Sequence, residues 1–256
     1  MSATEAPSDG AEGPMIGTLN EKSLHAALKA HYARPGDVVE AVVDGYVIDL
    51  VRDELLIEVQ TGNFAALKDK LDALLTGQRV LLVYPIAQTK WIVKVAVDDS
   101  PKRTRERLSR RRSPKRGCFL DVFDELVRIP HLAGHPNLTL ELVLCAIDEI
   151  RCDDGRGRWR RKGVSILDQE LLDVLDTVRL TQPADFVALL PDDLTEPFTN
   201  RALAEAAGIR LRLAQRVTYT LRHMGALQQV GFEGKAHLYR RVRGADSRRF
   251  GETGGA

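Results

Sequence analysis

Two acidic side chains, Asp49 and Glu58, stand in a stretch that is otherwise rich in valine, isoleucine and leucine. Residues 45–60 are predicted to form two short strands, because apolar residues dominate both arms and a short polar segment interrupts them. If Asp53 and Glu54 form a two-residue turn, Asp49 lies directly opposite Glu58, with Cβ atoms roughly 5 Å apart. The sequence therefore predicts two carboxylates on the same side of a hairpin.

Like charges that lie opposite each other destabilise a sheet, and burial among apolar strands raises the cost. A hard divalent cation binds carboxylate oxygens and would turn this repulsion into a binding site. The alternative is a register shifted by one residue, in which Asp49 only borders a solvated face.

The order of these acids and of the predicted elements resembles the PD-(D/E)xK nuclease superfamily, which has the restriction-endonuclease and archaeal Holliday-junction-resolvase fold. The resemblance covers about residues 15–100. It is carried by Glu21 on a first helix, Asp49 on the second strand and the triplet Glu58-Val59-Gln60 on the third. The usual lysine of the superfamily is Gln60 here, and some restriction enzymes of the superfamily also have Glu-x-Gln.

The resemblance implies a restriction-endonuclease-like α/β domain, with a mixed sheet flanked by helices, and a metal-dependent DNA endonuclease. Asp49, Glu58 and the Val59 carbonyl would bind Mg²⁺ or Mn²⁺, with Glu21 nearby. The ion would lower the pKa of a bound water and stabilise the charge on the scissile phosphate. Gln60 could orient that water but could not supply a positive charge. The catalytic candidates are thus Glu21, Asp49, Glu58 and Gln60.

Several predicted elements position these residues. A capping box at Thr18 and Glu21 begins a helix that ends at about residue 32, so Glu21 could either cap this helix or point toward the strand acids. A second helix has an apolar stripe and ends at Gly77. Lys68 on this helix could replace the charge missing at position 60, or could be a solvated surface lysine. Lys22 is a weaker candidate for that role. Residues 79–86 and 90–97 are predicted to form two further strands.

The segment 101–116 contains nine basic residues and one glutamate. Such a composition is typical of a linker between domains. It could also lie along a phosphate backbone, where each neutralised phosphate adds a salt-sensitive increment to binding. The sequence does not choose between a solvated hinge and a phosphate-binding segment.

Residues 117–243 are predicted to form a mainly α C-terminal region. Helices are expected at 119–129, 168–178 and 185–190, whereas 138–150 could be a strand or a helix. The pattern over 197–243, two helices followed by two strands, resembles a winged helix-turn-helix. The exposed side of its second helix and the wing supply the DNA-binding candidates Arg212, Gln215, Arg216, Tyr219, Arg222 and Lys235. Winged helices also serve as protein-docking modules.

Composition limits the other possibilities. The net charge is +1, so the overall charge does not indicate a nucleic-acid partner. No phosphate-binding loop, nucleophile elbow or paired histidine motif occurs. No apolar run is long enough for a membrane span, no signal peptide is recognisable, and the protein is expected in the cytoplasm, with no membrane partner. The tails 1–14 and 244–256 are expected to be disordered.

Two other functions remain open. The protein could be a non-catalytic DNA-binding or regulatory protein that retains a nuclease-like fold, for which the loss of lysine at position 60 is the main support. It could also be a subunit of a defence or repair complex that is active only with its partner. A two-fold homodimer would suit double-strand cleavage.

Overall fold

The computed structural model describes residues 23–97, 105–156 and 163–242. The first part of the chain, as far as the end of the large sheet, contains helices α1 (Ser23–Tyr32), α2 (Lys68–Leu74) and α3 (Phe123–Leu126), and strands β1 (Val38–Val43), β2 (Tyr46–Arg52), β3 (Leu55–Val59), β4 (Arg79–Val97), β5 (Arg105–Arg112), β6 (Leu138–Asp153) and β7 (Val164–Leu180). The last part contains helices α4 (Pro183–Val187), α5 (Asn200–Ala206) and α6 (Leu211–His223) and strands β8 (Leu227–Glu233) and β9 (Ala236–Arg241). The protein is therefore an α/β protein with a large mixed sheet flanked by helices.

The seven-stranded sheet has the order β1-β2-β3-β4-β6-β7, and β5 pairs with the far end of β4. The first three strands form an antiparallel meander, whereas β4 runs parallel to both β3 and β6. Helix α1 packs through Leu24 and Leu28 on one face of the sheet. Helices α2 and α3 pack on the other face, in a cluster that continues into the last three helices.

Tight turns fix the register of the first strands. The β1–β2 turn is Asp44-Gly45, and both residues have positive φ, which is the backbone conformation that a two-residue hairpin turn prefers. The β2–β3 turn is Asp53-Glu54, and Arg52 pairs with Leu55 across it. The predicted two-residue turn at 53–54 is therefore confirmed.

Two predictions about the middle of the chain are wrong. The segment 168–178 is not a helix but part of β7, which pairs antiparallel with β6. Its leucine and valine spacing matches both helical and extended periods, and pairing with β6 decides between them. The described part of the basic segment 101–116 is not a linker, because 105–112 forms β5 along β4. The ambiguous segment at 138–150 is strand β6.

The predicted division at residues 101–116 also changes. Because β6 and β7 belong to the same sheet as β1–β4, the first structural unit continues to Leu180 and the region after residue 117 is not mainly α. The helix predicted at 119–129 is a 3₁₀ turn at Phe119–Val122 followed by the single turn of α3. The predicted tails 1–14 and 244–256 lie outside the described residues.

The last three helices and the hairpin follow the predicted order. Thr199 caps α5, and its Oγ1 accepts a hydrogen bond from the Ala202 N–H at 3.2 Å. Gly208 supplies the positive φ that the turn into α6 requires. Phe198 pairs with Tyr239 of β9 in an isolated bridge. This unit packs on the large sheet through its buried leucines and valines. In the described ranges no helix has the length and apolar character needed to cross a membrane.

Candidate functional site

The acidic pair lies where β2 and β3 run side by side. Leu50 pairs with Ile57 and Val51 with Leu56, and this register places Asp49 opposite Glu58. The expected register is therefore present, and the one-residue slip is not. The predicted arrangement of both carboxylates on one side of the hairpin is not found, because Asp49 contacts His25 of α1 and Glu58 contacts Lys70 of α2, and these helices cover opposite faces of the sheet. Both side chains are largely buried, with 14% of Asp49 and 12% of Glu58 exposed.

Asp49 is held by α1 and by the backbone of β3. His25 Nε2 lies 3.2 Å from Asp49 Oδ2, and the Val59 N–H donates to the same oxygen at 2.8 Å. Burial works to raise the pKa of Asp49, but these two hydrogen bonds and the nearby Lys29 hold it below its ordinary value. Asp49 is thus an ionised carboxylate at neutral pH.

Glu58 is held by the opposite helix. Lys70 of α2 donates to Glu58 Oε1 at 2.6 Å and to the Val47 carbonyl at 2.7 Å. The second oxygen, Oε2, is buried and accepts no hydrogen bond from the described residues. Burial raises the pKa of Glu58, Lys70 partly opposes this effect, and the charge of Asp49 adds to it. The two neighbouring carboxyls therefore have pKa values shifted in opposite directions.

The strand changes its facing at Asp49. Ile48 packs in the cluster on the α2 side, whereas Leu50, two residues later, packs on the α1 side. Regular alternation would place both on the same face. On the neighbouring strand the residue in register is Glu40, which has a φ of 54° and binds Lys29 at 2.9 Å. Asp49 therefore lies at the point where the side chains of β2 change from the α2 face of the sheet to the α1 face.

The other predicted site residues have different environments. The Gln60 N–H donates to the Val83 carbonyl at 2.9 Å, and its side-chain amide donates to the Gly62 carbonyl. Gln60 is thus tied to its own loop. Val59 is buried beside the pair. Glu21 and Lys22 lie outside the described residues. Within those residues, no group of three or more histidine, cysteine, aspartate or glutamate side chains could hold a metal ion.

Lysine 70 is the site residue that sequence reasoning missed. Lys68, the residue considered on this helix, instead pairs with Asp72 at 3.1 Å and is 47% exposed. Lys70 lies three residues after Leu67 and four before Leu74, so it falls on the apolar stripe that faces the sheet. A charged residue within a buried stripe requires a partner, and this signal could have identified Lys70. His25 was also missed.

The exposed face of α6 carries most of the predicted DNA-binding residues. Arg212, Gln215, Tyr219 and Arg222 are exposed, as is Lys235 in the turn between β8 and β9. Arg216 differs from the expectation, because its Nη1 lies 2.5 Å from Asp124 Oδ1 and only 21% of its side chain is exposed. Arg216 therefore ties α6 to α3.

A polar cleft lies beside helix α3. Its lining includes Tyr84, Lys90, Asp121, Asp124 and Glu125. Burial raises the pKa of Tyr84, and the three carboxylates add to this effect. Asp124 is already paired with Arg216, and Glu125 accepts the backbone N–H of Phe64 at 3.0 Å. These contacts give two of the carboxylates structural roles.

The chain belongs to the family defined by the domain of unknown function DUF8091, whose model matches residues 22–181. This range begins just before α1 and ends at the end of β7, which is the extent of the large sheet and its first helices. The chain is also 32% identical over 235 residues to an uncharacterized protein of Treponema pallidum (strain Nichols). That alignment covers 91% of this chain and 90% of the relative. No solved structure matches the chain.

Proposed function

We propose that the protein is a metal-dependent nuclease that hydrolyses phosphodiester bonds in DNA. The observation that carries the proposal is the environment of Glu58, a buried carboxylate with one oxygen on Lys70 and the other without a hydrogen bond in the described residues. A buried polar atom without a partner is costly, and a bound cation or water would satisfy it. Asp49 supplies a second carboxylate in register.

The order of elements supports the same proposal. One helix, a three-stranded antiparallel meander, a second helix and a parallel fourth strand follow one another from α1 to β4. This is the order that the resemblance to the PD-(D/E)xK superfamily implies for a restriction-endonuclease-like domain. The acids occupy the second and third strands, as in the motif.

Asp49, Glu58 and the Val59 carbonyl have the oxygen donors that Mg²⁺ or Mn²⁺ prefers, and would hold the ion. When bound, the ion would lower the pKa of a water and stabilise charge on the phosphate. The lowered pKa of Asp49 keeps that ligand ionised, and the Lys70 ammonium places positive charge beside the acids. Lys70 thus supplies from α2 the charge that position 60 lacks.

The direct test is cleavage by the purified protein. Duplex, single-stranded and branched DNA are each incubated with Mg²⁺, with Mn²⁺ or with EDTA. We expect cleavage of at least one substrate that requires the divalent ion. Absence of cleavage of every substrate with both metals would contradict the proposal.

Lys70→Gln is expected to lower cleavage at neutral pH by about tenfold to a hundredfold, as for other residues that position metal ligands. Loss of the Lys70 hydrogen bond would raise the pKa of Glu58 further. Because the ion requires an ionised carboxylate, the acidic limb of the pH–rate profile should move to higher pH. Lys68→Gln removes the same charge from the same helix and should leave the profile unchanged. A Lys70→Gln profile identical to that of the unsubstituted protein would exclude this role.

We further propose that residues 197–242 form a winged helix that binds DNA through α6. Arg212, Gln215, Tyr219 and Arg222 share one exposed face at helical spacing. The Tyr219 ring lies next to the His223 ring, at an angle of 50° and with centroids 4.3 Å apart. Arginine and glutamine side chains on an exposed helix can reach base edges and phosphates in the major groove.

Replacement of Arg212 and Arg222 by alanine is expected to weaken DNA binding about tenfold or more. Binding is measured by fluorescence anisotropy in EDTA, so that cleavage does not interfere. Arg79→Ala/Arg128→Ala removes two exposed arginines outside α6 and serves as the control. Equal losses in the two double variants would show that α6 has no special role.

One observation favours a second function, that of a non-catalytic DNA-binding regulator. The Gln60 side chain is occupied by the Gly62 carbonyl, and Lys70 and His25 already pair with the two acids. The acids could therefore be a structural network. Calorimetry distinguishes the two functions, because only the nuclease requires Mg²⁺ or Mn²⁺ binding that is lost in Asp49→Asn.

A further inference from the structure

Positive charge is concentrated on one edge of the large sheet. Strand β5 has the sequence Arg-Glu-Arg-Leu-Ser-Arg-Arg-Arg, five arginines and one glutamate. The opposite edge strand, β7, carries Asp168, Glu170, Asp173 and Asp176 with one arginine. Since the whole chain has a net charge of only +1, the two sheet edges are strongly polarised.

Strand β5 is accessible along its length. In the described part of the chain it pairs only with β4, so its outer edge is open. Residues 106–112 are all exposed, and Leu108 is 61% exposed. An open edge is usually protected against pairing with other chains, and a dense row of charges provides such protection. The row of arginines therefore protects this edge against pairing with the strands of other chains.

Two of these arginines are fixed in place. The Arg110 guanidinium makes a two-pronged contact with Asp148, through Nη2 at 2.8 Å and Nε at 3.0 Å. It also lies 4.4 Å from the centroid of the Trp91 ring, and Arg112 lies 5.8 Å from the same ring. Contacts of this kind hold a guanidinium in a defined orientation.

Two other arginines are available for a ligand. Within the described residues, neither Arg107 nor Arg111 forms an ion pair with a carboxylate. Arg107 pairs with Val95 and Arg111 with Ile92 in the β4–β5 ladder. Val95 packs with Val93 on one face of the sheet, so Arg107 lies on that face and Arg111 on the other. The edge thus presents positive charge on both faces.

We infer that β5 is a binding surface for the phosphate backbone of DNA, separate from α6. The inference rests on the proposed function for the class of its partner. Arginine suits this partner because its planar guanidinium binds phosphate oxygens through two parallel hydrogen bonds. A row of exposed arginines that lack acidic partners gains from counterion release, whereas arginines paired with carboxylates do not.

The test is DNA binding by Arg107→Gln/Arg111→Gln, with a labelled duplex in EDTA over a series of KCl concentrations. Each lost phosphate contact reduces the slope of log K against log salt by about 1, so we expect a decrease of about 2. Affinity at low salt should fall about tenfold or more, independent of DNA sequence. The control Arg79→Gln/Arg128→Gln removes two exposed arginines elsewhere and should match the unsubstituted protein.

A slope unchanged by the β5 substitutions would overturn the inference, as would absence of any duplex binding by the full chain. The alternative ligand for the arginines of β5 is the acidic strand β7 of a second copy of the chain. It would be indicated by self-association in sedimentation that Arg107→Gln/Arg111→Gln abolishes while DNA binding is unchanged. Cleavage with Mg²⁺ is scored separately. If DNA binding depends on β5 and no cleavage occurs, this inference stands and the proposed nuclease activity is excluded. If cleavage occurs and the slope is unchanged by the β5 substitutions, the nuclease proposal stands and this inference is excluded.

Discussion

Asp49→Asn and Glu58→Gln are each expected to reduce metal-dependent DNA cleavage about a hundredfold to a thousandfold, the size of effect seen when one group that stabilises transition-state charge is removed. Each substitution keeps the shape of the side chain but removes the negative charge that would hold the ion. The effect should appear in kcat, measured with saturating DNA and Mg²⁺. Metal affinity measured by calorimetry should fall in parallel.

The control for this experiment is Glu54→Gln, which removes an acid from the exposed turn of the same hairpin. It should cleave as the unsubstituted protein does. Circular dichroism and urea denaturation establish that the Asp49 and Glu58 variants remain folded. If both folded variants retained full cleavage, the acidic pair would have no part in catalysis and the Glu58–Lys70 contact would be structural.

Phe64→Ala is expected to lower the free energy of unfolding by about 3–5 kcal/mol, the usual cost of removing a fully buried phenylalanine. Phe64 is completely buried and begins the 3₁₀ turn that leads into α2. Its ring meets Tyr84 of β4 edge-on, with centroids 5.0 Å apart. The substitution leaves a cavity beside Tyr84, at the turn that leads into the helix of Lys70. Urea denaturation measures the loss.

The matched control is Phe232→Ala, at a position 62% exposed on the β8–β9 hairpin. Its effect on the free energy of unfolding should stay within about 0.5 kcal/mol. Cleavage by Phe64→Ala should also decrease under conditions where the protein is folded, because the cavity loosens the turn from which α2 and Lys70 continue. A loss below about 1 kcal/mol would show that the site collapses around the cavity.

The family match and the alignment with the relative cover different extents of the chain. The DUF8091 match ends at residue 181, before α4, and therefore excludes α5, α6 and the hairpin. The alignment with the Treponema protein spans 235 residues, which is too long to fit within that match. The similarity therefore extends beyond the sheet on at least one side. Activity assays on the full chain are accordingly the informative ones.

The sequence alone determined the parts of the molecule that depend on short-range patterns. The β2–β3 hairpin, and the register that places positions 49 and 58 side by side, follow from one two-residue turn within a valine-rich and leucine-rich stretch. The cap at Thr199, the turn at Gly208 and the buried side of α6 follow from local periodicity. In each case the residues that specify the structure are close together in the chain.

Only the tertiary structure decided the long-range pairings. Strand β5 has no apolar pattern of its own, and it is a strand because its backbone hydrogen-bonds to β4. The spacing of apolar residues in β7 also fits a helix, and it is the antiparallel pairing with β6 that makes this segment a strand. Lys70 forms an ion pair with Glu58, which is 12 residues away in the sequence, because α2 packs on the face of the sheet toward which Glu58 points. This pair and the contact between His25 and Asp49 define the electrostatics of the site. Backbone pairing and buried ion pairs join residues distant in sequence, and local periodicity carries no information about which distant residue is the partner.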